Sequence, residues 1–72
     1  MMRNVGYLEL LNAIGHSDYK WSCGYTITRG FREVTLSFSD ASSYYDCKNL
    51  FANNDWFCYI DNAKLTIVAP IF

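Results

Sequence analysis

Three cysteines and a single histidine are the residues of this chain that could act as nucleophiles or soft metal ligands. Cys23, Cys47 and Cys58 are widely spaced, whereas zinc ligands come in close pairs such as Cys-x-x-Cys. His16 follows a predicted helix end, where a charged imidazole stabilises the helix dipole. We therefore predict no metal site and no cofactor, with thiols that pack as small hydrophobic groups in a reducing cytoplasm.

The carboxylates could in principle do acid–base chemistry, but their positions argue against it. Asp40, Asp55 and Asp61 fall at predicted turns and helix caps, whereas a general base must lie within reach of a nucleophile and an orienting group. The sequence also contains neither a Walker loop nor the glycine pattern of a dinucleotide-binding fold. We expect the protein not to be an enzyme.

Composition limits the remaining classes of function. The chain has 72 residues, of which 51% are hydrophobic and 18% aromatic, and its net charge is −1. This length predicts one compact domain, residues 1–72, with a small core rich in aromatic side chains. The lack of a basic excess makes direct nucleic-acid binding unexpected. No apolar run approaches the roughly 18 residues that a membrane helix needs.

Alternating apolar and polar residues between positions 19 and 38 predict a first β-hairpin. A two-residue loop at Arg29 and Gly30 places the apolar side chains of both strands on one face, because side chains alternate with a period of two. The predicted cross-strand pairs are Tyr25 with Val34, Cys23 with Leu36, and Trp21 with Phe38. One apolar and one polar face is typical of an antiparallel sheet that is covered on one side.

Residues 56–60 and 64–71 predict a second hairpin around residues 61–63. The side chains expected on its core face are Trp56, Cys58, Ile60, Leu65, Ile67, Ala69 and Ile71. The side chains expected on the opposite face are Phe57, Tyr59, Lys64, Thr66 and Val68. Pro70 cannot donate a ladder hydrogen bond, so we expect the last strand to end there or to lie at a sheet edge.

Two further segments have the residue spacing of amphipathic helices. Residues 4–14 predict a helix that is capped by Asn4 and ended by a left-handed Gly15, with a short first strand as the alternative. A second helix is capped by Ser39 or Asp40 and ends at residues 53–55. The apolar stripe of this second helix is Ala41, Tyr44, Cys47 and Leu50 or Phe51.

The order of these elements predicts an α+β fold. Two helices and two hairpins alternate as αββαββ, and each hairpin has an apolar face that must be covered. The economical arrangement is a four-stranded antiparallel sheet with both helices on one face.

Two surfaces of this fold are candidates for binding a partner. The tip of the first hairpin carries Arg29, Phe31 and Arg32, and a turn of this kind can insert into a pocket of another protein. The outer face of the second hairpin carries Phe57, Tyr59 and Val68, with Lys64 nearby. The alternatives are a solvated turn for the first surface and, for the second, cover by the N-terminal segment or by Phe72.

These features favour a small non-catalytic protein-binding module. We further predict an inhibitor from a phage or mobile element, similar in character to anti-CRISPR proteins. This narrower prediction rests on a general expectation about very small proteins and not on particular residues. The inhibitor would act in the host cytoplasm by steric occlusion of a host protein or ribonucleoprotein complex. A homodimer through the face of Phe57 and Tyr59, or through the last strand, would increase the buried area of so small a domain.

Two other functions remain open at this stage. Residues 29–36 share Arg29, Gly30, Phe31 and Val34 with the sheet motif of RNA recognition domains, but they depart from it at Arg32, at Glu33 and at Leu36, which replaces the stacking aromatic residue. With Phe57 and Tyr59 exposed on a sheet, this partial resemblance allows a small domain that binds single-stranded RNA. The other function is that of an assembly subunit of a larger particle.

Overall fold

The computed structural model describes residues 1–16 and 26–72, except for the side chain of His16. The predicted α+β fold with element order αββαββ is confirmed. The elements are α1 (Tyr7–His16), β1 (Thr26–Gly30), β2 (Glu33–Ser37), α2 (Ala41–Asn53), β3 (Tyr59–Asp61) and β4 (Thr66–Pro70). The predicted pairings of Trp21, Cys23 and Tyr25 lie outside the described residues.

The four strands form one antiparallel sheet in the order β1-β2-β4-β3. The second strands of the two hairpins therefore pair with each other at the centre, where Glu33 lies opposite Pro70 and Ser37 lies opposite Thr66. Strand β4 ends at Pro70 as predicted, yet it has a partner strand on each side. This order argues against a homodimer contact through the edge of this last strand, because β4 is paired on both sides from Thr66 to Val68.

The first hairpin has a different register from the predicted one. Its two-residue loop is Phe31 and Arg32, and Arg29 and Gly30 are the last residues of β1. Ile27 pairs with Leu36, and Arg29 pairs with Val34. The shift is by an even number of residues, so each side chain keeps its predicted face, and the alternation alone could not detect the error. The glycine misled the prediction, since the left-handed loop residue is Arg32, with a φ of 59°.

The N-terminal segment forms the predicted helix, and two isolated bridges rather than a strand precede it. Residues before the helix are extended: Arg3 forms a parallel bridge with Trp56, and Val5 forms one with Ile71. The helix begins only at Tyr7, so Asn4 is not its cap. The residue at the cap position is Gly6, whose carbonyl accepts a hydrogen bond from Leu10 N–H at 2.9 Å.

The side chain of Glu9 completes the start of α1. Its Oε1 accepts a hydrogen bond from Gly6 N–H at 3.4 Å, which satisfies one of the backbone donors that a helix start leaves unpaired. At the other end, α1 continues through Gly15 to His16. The prediction of Gly15 as a left-handed terminator is therefore wrong, since this residue keeps a helical backbone within α1.

Helix α2 has the predicted cap and end. Asp40 Oδ1 accepts a hydrogen bond from Ser43 N–H at 2.7 Å, and the helix ends at Asn53 with Asn54 as its C-cap. Its buried residues are Ser43, Tyr44, Cys47, Leu50 and Phe51. Ala41 is exposed, against the prediction, because Ser43 takes the core-facing position in the first turn.

One hydrophobic core joins both helices to a single face of the sheet. Its sheet residues include Val34, Leu36, Ile67 and Ala69, which alternate with outward-facing residues along β2 and β4. Its helical residues include Leu10 and Ile14 from α1 and Tyr44, Cys47, Leu50 and Phe51 from α2. Both helices therefore cover the same face, and the opposite face of the sheet carries the candidate aromatic surface. No helix among the described residues is long and apolar enough to cross a membrane.

Candidate functional site

The outer face of the sheet carries an aromatic pair in the predicted position. Tyr59 lies opposite Val68 in the register of β3 and β4. The rings of Phe57 and Tyr59 meet edge to face, with centroids 5.1 Å apart and an interplanar angle of 79°. The Tyr59 side chain is 61% exposed, whereas Phe57 and Val68 are half-buried. We call Phe57, Tyr59 and Val68 the sheet patch.

Neither of the segments considered as a cover conceals Tyr59. The N-terminal segment passes beside the patch, where Phe57 N–H donates a hydrogen bond to Arg3 O at 2.8 Å. Phe72 lies away from the sheet patch, with its ring next to Gly6 at the start of α1. A Cβ added to Gly6 would be 3.5 Å from Phe72 Cζ. The sheet patch is thus open at Tyr59 and partly closed at Phe57.

The tip of the first hairpin presents a large apolar side chain to solvent. Phe31, the first loop residue, is 88% exposed. Arg32, the second loop residue, has the left-handed backbone conformation that glycine and asparagine adopt most readily. A backbone hydrogen bond connects the loop to the end of β4, where Ile71 N–H donates to Arg32 O at 2.9 Å.

The two arginines at this tip stack on aromatic rings. Arg29 lies on the face of β1 that the helices cover. Its Cζ is therefore able to lie 4.4 Å from the centroid of the Tyr7 ring in α1. Arg32 Cζ lies 5.2 Å from the centroid of the Phe31 ring. Within the described part of the chain, neither guanidinium has a carboxylate within salt-bridge distance. The ion pair there is Arg3 with Glu9, at 2.7 Å.

Residues 71 and 72 complete a surface that the sequence analysis assigned to the hairpin alone. A shallow cleft of about 260 Å³ is lined by Arg29, Gly30, Phe31, Arg32, Ile71 and Phe72. Phe72 is 83% exposed, and the sequence analysis considered it only as a cover for Phe57 and Tyr59. An aromatic residue two positions after the strand-ending Pro70 was the available signal. We call Arg29, Phe31, Arg32 and Phe72 the tip patch.

The tip patch and the sheet patch lie at the same end of the sheet. A second cleft, of about 550 Å³, is lined by Asn4, Arg32, Pro70, Ile71 and Phe72. Pro70 is two residues from Val68 in β4, so the two share the outer face. Lys64 is not part of this surface. It lies in the turn between β3 and β4, at the opposite end of the sheet, next to the pair Ser37 and Thr66.

The described thiols lack the properties of a nucleophile. Burial raises the pKa of Cys47 from 9.0 to about 12. Burial also raises the pKa of the half-buried Cys58. Both groups are therefore protonated at neutral pH, whereas the reactive form of cysteine is the thiolate. Among the described residues no three histidine, cysteine or acidic side chains form a cluster that could hold a metal ion. Cys23 and the His16 side chain lie outside the described residues.

A polar network at the other end of the sheet ties α2 to the turn after β3. Tyr44 Oη donates a hydrogen bond of 2.6 Å to Asn62 Oδ1, and burial raises the pKa of this phenol. Lys48 Nζ lies 4.9 Å from the centroid of the Tyr45 ring. These contacts position the turn that carries Lys64, and this end of the molecule offers control positions remote from the tip patch.

Comparison with known proteins gives no relative on which to base a function. No family model matches the chain, and neither a curated protein nor a solved structure does. A function for this chain is therefore to be inferred from its own surface.

Proposed function

We propose that this chain is a non-catalytic protein-binding module and that the tip patch is its main contact surface. The observation that carries the proposal is the pair of aromatic side chains, Phe31 and Phe72, which are 88% and 83% exposed beside two arginines without a described carboxylate partner. Aromatic residues and arginine are enriched in protein interfaces and among the residues that dominate binding energy.

The backbone of the tip loop supports this proposal. Arg32 occupies a conformation that costs a non-glycine residue roughly 1–2 kcal/mol. Residues in such conformations cluster at functional sites, because the surrounding structure holds them there. Asp55 and Leu65 also have a positive φ, so this conformation supports the tip patch only together with the exposure of Phe31.

The mode of action that we propose is steric. The tip patch lies at one end of the sheet, with the sheet patch beside it. A partner bound there would contact both patches, and the chain would block that surface of the partner for other molecules. The narrower form of the proposal, in which the partner is a bacterial host or defence complex and the chain an inhibitor from a phage or mobile element, comes from the sequence analysis. The next experiment tests it directly.

An affinity pull-down from bacterial lysate, read by mass spectrometry with and without nuclease, tests the proposal. We expect a stoichiometric protein partner that survives nuclease and is lost with the tip variant Phe31→Ser. A matched control is Tyr45→Ser, because Tyr45 is also aromatic and exposed but belongs to α2, away from the tip. Equal recovery of the partner with both variants would overturn the assignment of the tip patch.

Binding of single-stranded RNA is a second candidate, which the edge-to-face pair of Phe57 and Tyr59 favours. Exposed aromatic rings on a sheet can stack on bases. The outer face that carries them also has the acidic residues Glu33 and Asp61, which repel phosphates. Retention on oligouridine that falls with salt, and that disappears in the double variant Phe57→Ala and Tyr59→Ala, would support this function. Recovery in the pull-down that collapses with nuclease would do the same.

A further inference from the structure

We propose that the cleft of the tip patch recognises a protein segment in which a carboxylate side chain stands next to a large apolar side chain. This inference rests on the proposed protein-binding function and specifies the chemistry of the partner. It follows from how the arginines, the aromatic walls and the charges around them are arranged.

The arginines supply the polar half of the cleft. The Arg29 guanidinium stacks over Tyr7 and the Arg32 guanidinium over Phe31, at 4.4 and 5.2 Å from the ring centroids. Among the described residues neither guanidinium donates a hydrogen bond or forms an ion pair, so its N–H donors are available to a partner. A carboxylate accepts two such donors in parallel, which is the strongest arrangement for a surface arginine. The Arg29 guanidinium thus lies against Tyr7 of α1, whereas the Arg32 guanidinium lies over the exposed ring of its neighbour Phe31.

The aromatic side chains supply the apolar half. Phe31 and Phe72 are the exposed walls, and the buried Ile71 lies between them in the lining of the cleft. The cleft of about 260 Å³ is smaller than the roughly 300–1,000 Å³ of small-molecule sites. The adjoining cleft of about 550 Å³ shares Arg32, Ile71 and Phe72 with it, so the choice of a protein partner rests on the exposed aromatic walls and the arginines rather than on volume.

The charges around the cleft favour a carboxylate over a nucleic-acid backbone. Duplex DNA carries one phosphate charge per roughly 1.7 Å of helix axis, so proteins bind nucleic acids with rows of basic residues. Here neither arginine pairs with a described carboxylate, and Glu33 directly follows Arg32 in the sequence. A Cβ added to Gly30 would lie 3.4 Å from Glu33 Cγ, so this acidic side chain lies along the tip. The net charge of the chain is −1. One carboxylate fits this pattern, whereas a run of phosphates does not.

An NMR titration of the isotope-labelled chain tests the inference with three probes. They are acetyl-Ser-Glu-Phe-Ser-amide, the same peptide with Gln in place of Glu, and a short oligouridine. We expect the acidic peptide to shift the amide signal of Phe31 and the side-chain Nε–H signals of Arg29 and Arg32. The glutamine peptide should bind about tenfold more weakly, because it loses the charge-assisted hydrogen bonds.

Variants separate the two halves of the cleft. Arg29→Gln with Arg32→Gln should remove the preference for the acidic peptide, and Phe31→Ala should weaken both peptides alike. Lys64→Gln with Lys48→Gln is the control with the same loss of charge at the far end. Equal binding of the two peptides to the unmodified chain, no shifts at the tip, or tighter binding of oligouridine would each overturn the inference.

The pull-down distinguishes failure of this inference from failure of the proposed function. Suppose that Phe31→Ser abolishes capture of the partner, while the double arginine variant retains it fully. The tip patch then binds a protein without recognising a carboxylate, so the proposed function stands and this inference falls. If neither variant changes the capture, this inference and the assignment of the tip patch are both wrong, and the partner binds at another surface of the chain.

Discussion

Arg32 combines an unfavourable backbone conformation with a central place in the tip patch. Its φ of 59° suits glycine better than a residue with a Cβ. We expect Arg32→Gly to raise the free energy of unfolding by about 0.5–1 kcal/mol. Glycine relieves the backbone strain, and this gain is partly offset because unfolded glycine has more conformational entropy. The same variant should weaken capture of the partner. Chemical denaturation and the pull-down measure the two effects.

Arg32→Ala is the control for this prediction, since it removes the side chain but retains the Cβ. It should weaken binding without the gain in stability. A loss of stability in Arg32→Gly would show that the loop conformation is not strained and would remove one support for the tip patch.

The buried Cys47 thiol makes stability depend on alkaline pH. Burial raises its pKa from 9.0 to about 12, so the folded state holds this proton more tightly than the unfolded state. The resulting stabilisation is fully present below about pH 9 and is lost as the pH rises toward 12. We expect the free energy of unfolding to fall there by up to about 1.4 kcal/mol per pH unit from this thiol.

Denaturation midpoints measured across this pH range test the prediction. Cys47→Ala should reduce the slope of the free energy of unfolding against pH, and it should also lower stability because packing is lost. Cys58→Ala should retain most of that slope. The raised pKa of Tyr44 adds to the slope in all three proteins. An unchanged slope in Cys47→Ala would contradict the assignment to this thiol.

At the scale of the elements, helix α2 depends on one capping side chain. Asp40 Oδ1 accepts a hydrogen bond from Ser43 N–H, and Asp40 Oδ2 accepts one from Ser43 Oγ at 3.3 Å. We expect Asp40→Ala to lower the free energy of unfolding by about 1 kcal/mol, since it leaves a helix donor unpaired. Ser42→Ala, on the exposed side of the same helix, is the control. A change below a few tenths of a kcal/mol in Asp40→Ala would show that the cap contributes little.

The sequence could predict the faces of the strands more reliably than their pairing. Periodicity of two places Val34, Leu36, Ile67 and Ala69 on one face in any register that differs by an even number of residues. The choice among those registers depends on the loop, and there Gly30 was a misleading signal because Arg32 takes the left-handed position. The ends of α2 were predictable since Asp40 and residues 53–55 act locally. The start of α1 was not, because Arg3 and Val5 pair with residues far along the chain.

At the scale of the whole molecule, the pairing of β2 with β4 creates the candidate site. Each hairpin is a local structure, but their order in the sheet depends on contacts that no local pattern encodes. That order brings the loop of Phe31 and Arg32 next to Phe72, and it sends Lys64 to the far end. The arginines and Phe31 were therefore predictable as exposed residues of a hairpin tip, whereas Phe72 could not be assigned to the same surface.

Strand β3 lies at an edge of the sheet and carries two exposed apolar side chains. Tyr59 is 61% and Ile60 48% exposed, and such edges tend to associate with further strands or copies. We therefore expect weak dimerisation at high protein concentration, which Tyr59→Lys should abolish. Sedimentation of the two proteins measures it, with Tyr45→Lys as the control. A monomer at every concentration would contradict this contact, and growth beyond a dimer would point to an assembly subunit.

The bridge between Val5 and Ile71 has a consequence for the time course of synthesis. The buried Val5 side chain gains this partner only after residue 71 has been translated and has left the ribosome, several seconds after Val5 at roughly 5–20 residues per second. Until then the first hairpin can form, but Val5 lacks the partner that joins the N-terminal segment to the end of β4. The fold thus closes in one late step, and a nascent chain halted before residue 71 would carry Val5 exposed to chaperones and proteases.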